Sequence, residues 1–218
     1  MQDLSYIKKR LQNRSVLLEK AYPFIITAIF LILSIILIYH HEFWRDEIIS
    51  WHFGSESSSF TEFLKVVRLD GTNTYSWYAI LYFISHFITD NIESMKVVHL
   101  AISTVSIFLI LKYAPFNKII RAMIVFGYFL FYEYSIISRN YALGILFIVI
   151  FCILYKNKYR NILTLGIVLF LMGQGSILSF LISIAFFLML VFELIADWKG
   201  IRKSINKVHL TVTFLIVA

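Results

Sequence analysis

The sequence predicts an all-α fold, a polytopic transmembrane helix bundle. Of its 218 residues, 60% are hydrophobic and 15% are charged, and the mean hydropathy is +0.79. A soluble domain carries roughly 25% charged residues. Several apolar runs reach the roughly 17–25 residues that a helix needs to cross about 30 Å of hydrocarbon. Because these runs do not alternate apolar and polar residues, they are helices and not the strands of a membrane barrel.

About seven apolar segments and an incomplete eighth can be placed along the chain. The seven are Tyr22–Tyr39, Tyr75–Thr89, Met95–Leu111, Ile119–Phe131, Tyr141–Tyr155, Ile162–Met172 and Ile177–Ile195. The eighth begins near Val208 and has about 11 residues when the sequence stops at Ala218, too few to span a bilayer. We therefore expect that the sequence is a fragment truncated at the C-terminus or that its last helix is unfinished.

The first 21 residues form a basic, amphipathic segment ahead of the first apolar run. It carries five cations: Lys8, Lys9, Arg10, Arg14 and Lys20. No small-residue cleavage pattern follows Tyr39, so the run is predicted to remain as a span and not to be removed as a signal peptide. Positive charge beside a span favours the cytoplasmic side. We expect residues 1–21 in the cytoplasm and residues 22–218 as one transmembrane domain.

The distribution of charge predicts the orientation of the later loops. The stretch from His40 to Thr74 carries six acids and three bases, so with a cytoplasmic N-terminus we expect it to be an outer loop. The turns at Glu133–Arg139 and Gly173–Ser176 then also face outwards. Three basic clusters are predicted to be cytoplasmic: Lys112/Lys118/Arg121, Lys156/Lys158/Arg160 and Lys199/Arg202/Lys203/Lys207. This orientation requires that Tyr75–Thr89 does not cross, and we expect that segment to be re-entrant or tilted in the interface.

The overall charge and the cysteine content fit the same class of protein. The net charge is +7, but the basic residues lie at the ends of apolar segments, where sidedness and anionic lipid account for them. We therefore expect a lipid bilayer, and no nucleic acid, as a partner. The single Cys152 lies within an apolar run and cannot form an internal disulfide. The pattern favours a multi-pass protein of the plasma membrane.

The outer loop is predicted to contain short amphipathic helices that lie in the membrane surface. Ser59 followed by Glu62 fits a capping box, which marks the start of a helix. Four apolar residues then share one face at helical spacing: Phe60, Phe63, Leu64 and Val67. A helix with one apolar face lies in the interface between lipid and water.

An acidic motif, Trp44-Arg45-Asp46-Glu47, opens the outer loop shortly after the first span. Adjacent carboxylates beside aromatic residues suit a general base or a pair of ligands for a divalent metal ion, Mg²⁺ or Mn²⁺. A base would deprotonate an acceptor hydroxyl, and a metal ion would neutralise a phosphate leaving group. The alternative is a solvated acidic loop end with a tryptophan at the membrane interface.

Arg139 lies between two apolar segments with almost no loop around it. An ionisable group near membrane depth is costly and usually faces a cavity or a partner. On the predicted topology Arg139 shares the outer side with Asp46 and Glu47, and its guanidinium suits a bidentate contact to a phosphate. The alternative is that Arg139 reaches the interface and pairs with Glu133.

These motifs resemble those of the GT-C superfamily of membrane glycosyltransferases, in particular its RgtA/B/C/D-like and protein-mannosyltransferase-like branches. In those proteins one span leads to an outer loop that opens with an acidic motif, here Trp44 to Glu47. A tyrosine- and leucine-rich segment follows, here Asn73 to Tyr82, although Thr72-Asn73-Thr74 replaces the His-Pro-Pro that often opens it. Their later pattern is matched by Tyr134-Ser135 and by Arg139-Asn140-Tyr141-Ala142-Leu143. The resemblance spans most of residues 20–195.

The resemblance implies transfer of a sugar from a polyprenyl-phosphate donor, with inversion, to a glycan, lipid or protein acceptor at the outer face. By this resemblance Asp46 is the catalytic base and Glu47 is its acidic neighbour. The residues that it places at the donor phosphate or substrate are Arg139, Tyr141, Arg45 and Trp44.

Two other kinds of function are alternatives to this transferase. A polysaccharide polymerase or ligase also uses polyprenyl-linked substrates. A membrane transporter or a non-catalytic assembly subunit of cell-envelope polysaccharide synthesis is the alternative from another class. Transporters tend to show repeated halves with polar groups at the midplane. This sequence has no such repeat and its polar residues gather at one face, which favours the transferase. His86, alone in an apolar run, is predicted to be packed or hydrogen-bonded and not a ligand.

Overall fold

In a computed structural model of the chain, all regular secondary structure is helical within the part that it describes, residues 2–70, 75–201 and 205–217, with side chains for 17–69, 75–201 and 205–217. No strand occurs in these ranges, so the predicted all-α class is confirmed there. Several residues named above lie outside the described part: Thr72, Asn73, Thr74, Arg202, Lys203 and the side chains of Lys8, Lys9, Arg10, Arg14 and Asp70.

Eleven α-helices and one π-helical segment make up these ranges. The α-helices are α1 (Gln2–Tyr39), α2 (Arg45–Ser55), α3 (Phe60–Asp70), α4 (Tyr75–Phe87), α5 (Glu93–Tyr113), α6 (Lys118–Val125), α7 (Tyr141–Tyr155), α8 (Ile162–Gly173), α9 (Ile177–Ala196), α10 (Trp198–Ile201) and α11 (Lys207–Val217). The π-helical segment, Phe129–Glu133, lies between α6 and α7. The predicted apolar segments at α5, α7, α8 and α9 agree with these bounds to within about two residues at both ends. The segment at α1 agrees at its C-terminal end, Tyr39.

Within the described ranges, three helices are long and apolar enough to cross a membrane: the Leu17–Tyr39 part of α1, α5 and α9. This indicates a membrane protein. α7, α8 and α11 are apolar but have 15, 12 and 11 residues, fewer than the roughly 17 that a spanning helix needs. The sequence predicted about seven apolar segments, whereas helix length and composition in the described ranges support three spans.

The bundle is arranged around α5. One side of α5 contacts α1 and another contacts α7, while α7 packs on α8, and α8 packs on both α9 and α11. A larger share of α5 (44%) than of the spanning parts of α1 and α9 (22% each) is buried. The outer faces of α1 and α9 expose large apolar side chains such as Phe24, Ile32 and Ile195. Contiguous apolar surface of this kind suits contact with lipid.

The helix directions place the predicted outer segments and the basic clusters at opposite ends of the bundle. One end gathers the end of α1 and the beginnings of α5, α7 and α9. There Ser76, at the start of α4, donates from its Oγ to the carbonyl oxygen of Gln174 in the α8–α9 turn, 2.6 Å away. At the other end Lys118 pairs with Glu19. The loop and the turns expected on one side therefore do lie at one end, away from the described residues of the three basic clusters.

α4 is part of a cap at that end and is too short to span. Its 13 residues reach about 20 Å, against about 30 Å of hydrocarbon. It packs on α2 and α3, and these three helices are here named the cap. Their common core buries Trp51 of α2, Phe63 of α3 and Trp77 of α4 against Met95 of α5. The structure thus agrees with a Tyr75–Thr89 segment that does not cross.

The predicted capping box at the start of α3 is formed in part. The N–H of Glu62 donates to Ser59 Oγ at 3.2 Å, as expected. The Glu62 carboxylate accepts instead from Ser58, from its N–H at 2.9 Å and from its hydroxyl. The apolar face of α3 is divided, since Phe63 is buried in the cap while Phe60 is exposed. α3 therefore packs on protein with half of the face that was expected to meet lipid.

The expected apolar segment Ile119–Phe131 is not one helix, which corrects the prediction. α6 ends at Val125, and the chain passes through Gly127 before the π-helical segment begins. Glycine weakens a helix because it has more backbone freedom to lose. After the break, Ser103 of α5 donates from its Oγ to the carbonyl oxygen of Tyr134 at 2.7 Å. The break thus directs residues 134–140 onto α5.

Replacing Gly54 by alanine tests how closely α2 and α4 approach. A Cβ at Gly54 would lie 2.8 Å from both Leu81 Cβ and the backbone nitrogen of Tyr82, whereas a Cβ at Gly200 meets nothing within 4 Å. Overpacking of this kind costs about 1–3 kcal/mol, so Gly54→Ala should lower the melting temperature of the purified protein in detergent. Gly200→Ala is the matched control and should not. Equal melting temperatures for the two variants would contradict the close approach.

Lowering the pH should loosen the start of α3. The hydroxyl and the N–H of Ser58 hold the pKa of Glu62 below its ordinary value of 4.5. A carboxyl with a lowered folded pKa stabilises the fold above its unfolded pKa and loses that effect as the pH falls through the folded value. Amide exchange at the start of α3, measured relative to Glu62→Gln at each pH, should therefore slow above pH 4.5 and converge with the variant in more acid solution. A constant ratio would contradict this.

Candidate active site

A fully buried carboxylate, Glu47, lies in the first turn of α2, and its side chain is 0% exposed. Glu47 Oε2 accepts from His41 Nε2 and from the N–H of Trp44, each at 2.8 Å. Glu47 Oε1 accepts from the N–H of Ser138 at 2.6 Å. These three donors come from the connection after α1, from the residue before α2 and from the loop before α7. One side chain therefore joins three parts of the chain.

The local sequence explains why Glu47 takes this position. Trp44 is the residue before α2 and has an extended backbone, and Glu47 is the third helical residue after it. A glutamate at this position returns its carboxylate to the N–H of the residue before the helix, which is half of a capping box. The partial positive charge of a helix N-terminus also favours an acid there.

Asp46, one residue earlier, faces the surface and pairs with Arg139. Arg139 Nη2 lies 3.3 Å from Asp46 Oδ2, and the two side chains are 29% and 56% exposed. The guanidinium lies over the ring of Tyr141, with Cζ 5.0 Å from its centroid, and Tyr141 meets Tyr134 edge-on at 5.9 Å. A carboxylate, a guanidinium and two aromatic rings are thus gathered at the cap end of the bundle.

The Asp46–Arg139 pair follows from the contacts of Glu47. Because Glu47 binds the N–H of Ser138, the next residue, Arg139, is carried to Asp46, the neighbour of Glu47. The following residue, Asn140, donates from its Nδ2 to the carbonyl oxygen of Gly175 at 3.1 Å. The loop before α7 is therefore held on both sides of Arg139, against α2 and against the α8–α9 turn.

Lys96 of α5 is a polar residue of this end that the sequence reasoning missed. It is only 8% exposed, and its Nζ donates to the carbonyl oxygen of His41 at 2.9 Å and lies 3.1 Å from Glu93. Nζ also lies 4.1 Å from the centre of the Phe43 ring. A lysine near the start of an apolar helix is itself a signal, because such charges are costly and have partners.

An apolar groove of about 670 Å³ opens beside Lys96, between α1 and α5. Tyr39, Glu93 and Lys96 line its polar end. Apolar residues of both helices line the remainder: Leu31, Ile35, Ile38, Val97, Leu100 and Ala101. The groove combines a polar end near the cap with apolar walls along the membrane-spanning helices.

The predicted site residues do not all meet. Asp46, Arg139 and Tyr141 do. Trp44 is 48% exposed and its ring lies 6.3 Å from that of His41, while Arg45 is exposed at the surface of α2. The alternative pairing of Arg139 with Glu133 is not what the structure shows, because Glu133 accepts from another residue, the hydroxyl of Tyr128 at 3.3 Å.

Glu47 and Asp46 have different surroundings. Both oxygens of Glu47 are engaged inside the protein, and Asp46 faces outwards. Of the two carboxylates, Asp46 is therefore the one that solvent can reach. Within the described ranges, no three histidine, cysteine, aspartate or glutamate side chains group as metal ligands would.

His86 and His52 have ordinary partners. His86 Nε2 donates to the carbonyl oxygen of Ser57 at 2.8 Å, and its ring stacks on Tyr82 at 4.1 Å. It ties α4 to the α2–α3 connection, and the prediction of a packed, hydrogen-bonded histidine is confirmed. His52 pairs with Glu56 at 2.6 Å on the surface of α2.

Neither a protein-family model, a curated protein nor a solved structure matches this chain. The resemblance to the GT-C superfamily accordingly rests on the motifs themselves. The geometric observation from which a function can be argued is the meeting of Asp46, Arg139 and Tyr141 at one end of the bundle.

Replacing Glu47 by glutamine tests whether this buried carboxylate holds the cap in place. The amide loses the charge that three donors now bind, and hydrogen bonds to charged groups contribute about 1.5–3 kcal/mol each. Glu47→Gln should lower the melting temperature in detergent by several degrees. Glu42→Gln, an equal change at an exposed position of the same loop, should leave it unaltered. Matching melting curves for the two variants would contradict the structural role of Glu47.

Proposed function

We propose that this chain is a membrane glycosyltransferase that moves a sugar from a polyprenyl-phosphate donor to an acceptor hydroxyl at the cap end of the bundle. The observation that carries the proposal is the Asp46–Arg139 pair. A carboxylate and a guanidinium, both partly open to solvent, lie 3.3 Å apart there. Inverting transfer from a phosphate needs these two charges, one as a base for the acceptor and one as a partner for the phosphate.

Donor binding would exchange the partner of Arg139. An ion pair at the surface contributes at most about 1 kcal/mol, so the Asp46–Arg139 contact is inexpensive to break. A phosphate offers the planar guanidinium a bidentate contact. Once Arg139 binds the donor phosphate, the Asp46 carboxylate is free to accept a proton. Donor binding therefore replaces a weak contact with a stronger one.

The reaction then follows from the positions of the two groups. Asp46 accepts the proton of the acceptor hydroxyl, and the acceptor oxygen forms a bond to the anomeric carbon on the face opposite the phosphate. The bond between that carbon and the phosphate oxygen breaks, and its electron pair leaves with the polyprenyl phosphate. Arg139 stabilises the negative charge that develops on this leaving group. Attack from the opposite face inverts the configuration.

The groove between α1 and α5 supplies a place for the isoprenoid chain of the donor. Its walls are apolar, and its polar end lies at Lys96. Lys96 binds the carbonyl oxygen of His41, whose ring in turn binds Glu47, the neighbour of Asp46. Each buried CH₂ group stabilises a bound chain by about 0.8 kcal/mol. The groove therefore supports a lipid-linked donor better than a soluble sugar nucleotide.

The orientation in the membrane is part of the same proposal. Basic residues favour the cytoplasmic side, so we place the end that carries Lys118 in the cytoplasm and the cap at the outer face of the plasma membrane. The N-terminus is then inside. The acceptor is a glycan, lipid or protein of the envelope.

Separate Asp46→Asn and Arg139→Ala variants test the proposed site. Membranes containing the full chain are given radiolabelled polyprenyl-phosphate hexoses, and label transferred to envelope glycans, lipids and proteins is measured. Loss of a general base lowers a rate by about 10²–10⁴-fold, so Asp46→Asn should lower transfer by about that factor. Arg139→Ala should raise the donor concentration needed for half-maximal rate as well as lower the rate.

Glu42→Gln is the matched control for this experiment and should transfer sugar as the wild type does. Transfer that survives both Asp46→Asn and Arg139→Ala would show that the site assignment is wrong. Movement of the intact lipid-linked sugar across vesicles, with no transfer, would instead favour the transporter.

A further inference from the structure

A second, larger cavity lies at the opposite end of the bundle from Asp46. It measures about 1010 Å³ and opens between the start of the α1 span and the connection from α5 to α6. Four cations line it together with a single carboxylate, Glu19: they are Lys20, Lys112, Lys118 and Arg121. Four positive charges less one negative charge leave this cavity with three uncompensated positive charges.

Aromatic side chains form the apolar walls of this cavity. Phe24 of α1 and Phe116 of the α5–α6 connection are exposed there, at 63% and 47%. Tyr22 donates from its hydroxyl to the carbonyl oxygen of Lys118 at 2.6 Å, which ties α1 to α6. Aromatic residues of this kind are common at the level of lipid headgroups. The cavity thus joins a positively charged floor to an apolar face that continues along α1.

The cations differ in how far they are already engaged. Arg121 donates to the carbonyl oxygens of Phe116 and Leu111, both at 2.7 Å, so it is part of the wall. Lys118 pairs with Glu19. In the portion of the chain that the structure describes, Lys20 and Lys112 form no ion pair, and Lys112 contacts only the faces of Phe108 and Tyr113. Two lysines are therefore available to an anion.

We propose that this cavity binds the phosphate headgroup of an anionic phospholipid, with Lys20 and Lys112 as its principal contacts. Basic pockets between spanning helices are suited to such headgroups, and each cation near the surface contributes about 1 kcal/mol. The acyl chains lie along the exposed apolar face of α1 that begins at Phe24. The bilayer is the source of this ligand, because a free phosphate has no apolar part that could pack against the aromatic walls.

A neighbouring basic cluster shows that sidedness alone does not produce such a cavity. In the α7–α8 connection, Lys158 is neutralised by Glu193 at 2.6 Å, and Tyr159 binds Asp197 at 2.6 Å. One cation of that cluster, Lys158, is therefore neutralised within the protein. At the α1–α5–α6 cavity, Lys20 and Lys112 have no such carboxylate partner among the described residues, and they face an open volume. The proposal is independent of the proposed sugar transfer, which concerns the other end of the bundle.

The test measures retention of lipid by the purified full-length chain. The protein is reconstituted with an equimolar mixture of phosphatidylglycerol and phosphatidylcholine, re-extracted, and examined by native mass spectrometry, with affinities obtained by titration. The wild type should retain phosphatidylglycerol in preference to phosphatidylcholine. At about a fivefold effect for each cation, Lys20→Gln/Lys112→Gln should weaken phosphatidylglycerol binding about 25-fold.

Two further variants make the result decisive. Lys156→Gln/Arg160→Gln removes the same charge from the neighbouring cluster and should keep wild-type affinity. Glu19→Gln removes the one carboxylate of the cavity and releases Lys118, so it should strengthen binding, and it decides the matter if the double lysine variant does not fold. Unaltered binding in Lys20→Gln/Lys112→Gln, an equal loss in the control pair, no gain in Glu19→Gln, or displacement of the lipid by inorganic phosphate would each overturn the proposal.

Discussion

The arrangement of the cap end depends on one buried carboxylate. A charged group inside a protein costs several kcal/mol in lost hydration unless donors replace the water. Glu47 is completely buried, and the donors that satisfy it come from His41, Trp44 and Ser138. Because those residues belong to three separate parts of the chain, satisfying Glu47 requires that α2 and the loop before α7 meet beside the end of α1. The remaining contacts of the cap end follow from that meeting.

Charged residues are neutralised in different ways at the two ends of the bundle. At the cap end, Lys96 and Glu47 are buried, and each has partners inside the protein. At the other end, Lys20 and Lys112 face an open cavity, and the surrounding solvent or lipid must neutralise them. α5 connects the two ends, since Glu93 and Lys96 lie in its first turn and Lys112 in its last. The proposed transferase site and the proposed lipid site therefore share no side chain.

Apolar composition predicted the long helices well and the details of the cap poorly. The C-terminal end of α1 and both bounds of α7 and α9 follow from the ends of their apolar runs. The break at Gly127 was not predicted, because the residues around it stay apolar through Phe131 and hydropathy does not report backbone conformation. The proximity of Asp46 and Arg139 followed from predicted sidedness. The sequence did not predict which of Asp46 and Glu47 is buried, because composition does not distinguish the two acids. The local signal was the three-residue spacing from Trp44 to Glu47.

That spacing also explains why adjacent acids have different roles. Successive residues of an α-helix point about 100° apart, so once Glu47 turns inward to the N–H of Trp44, Asp46 must face outwards. A residue that exchanges partners during a reaction needs an ion pair that is inexpensive to break, about 1 kcal/mol or less at the surface. A residue that holds three parts of the chain together needs contacts that are costly to break, and leaving a buried charge without its partner costs about 3–5 kcal/mol. Asp46 meets the first requirement and Glu47 meets the second, so the order Asp46-Glu47 is not interchangeable.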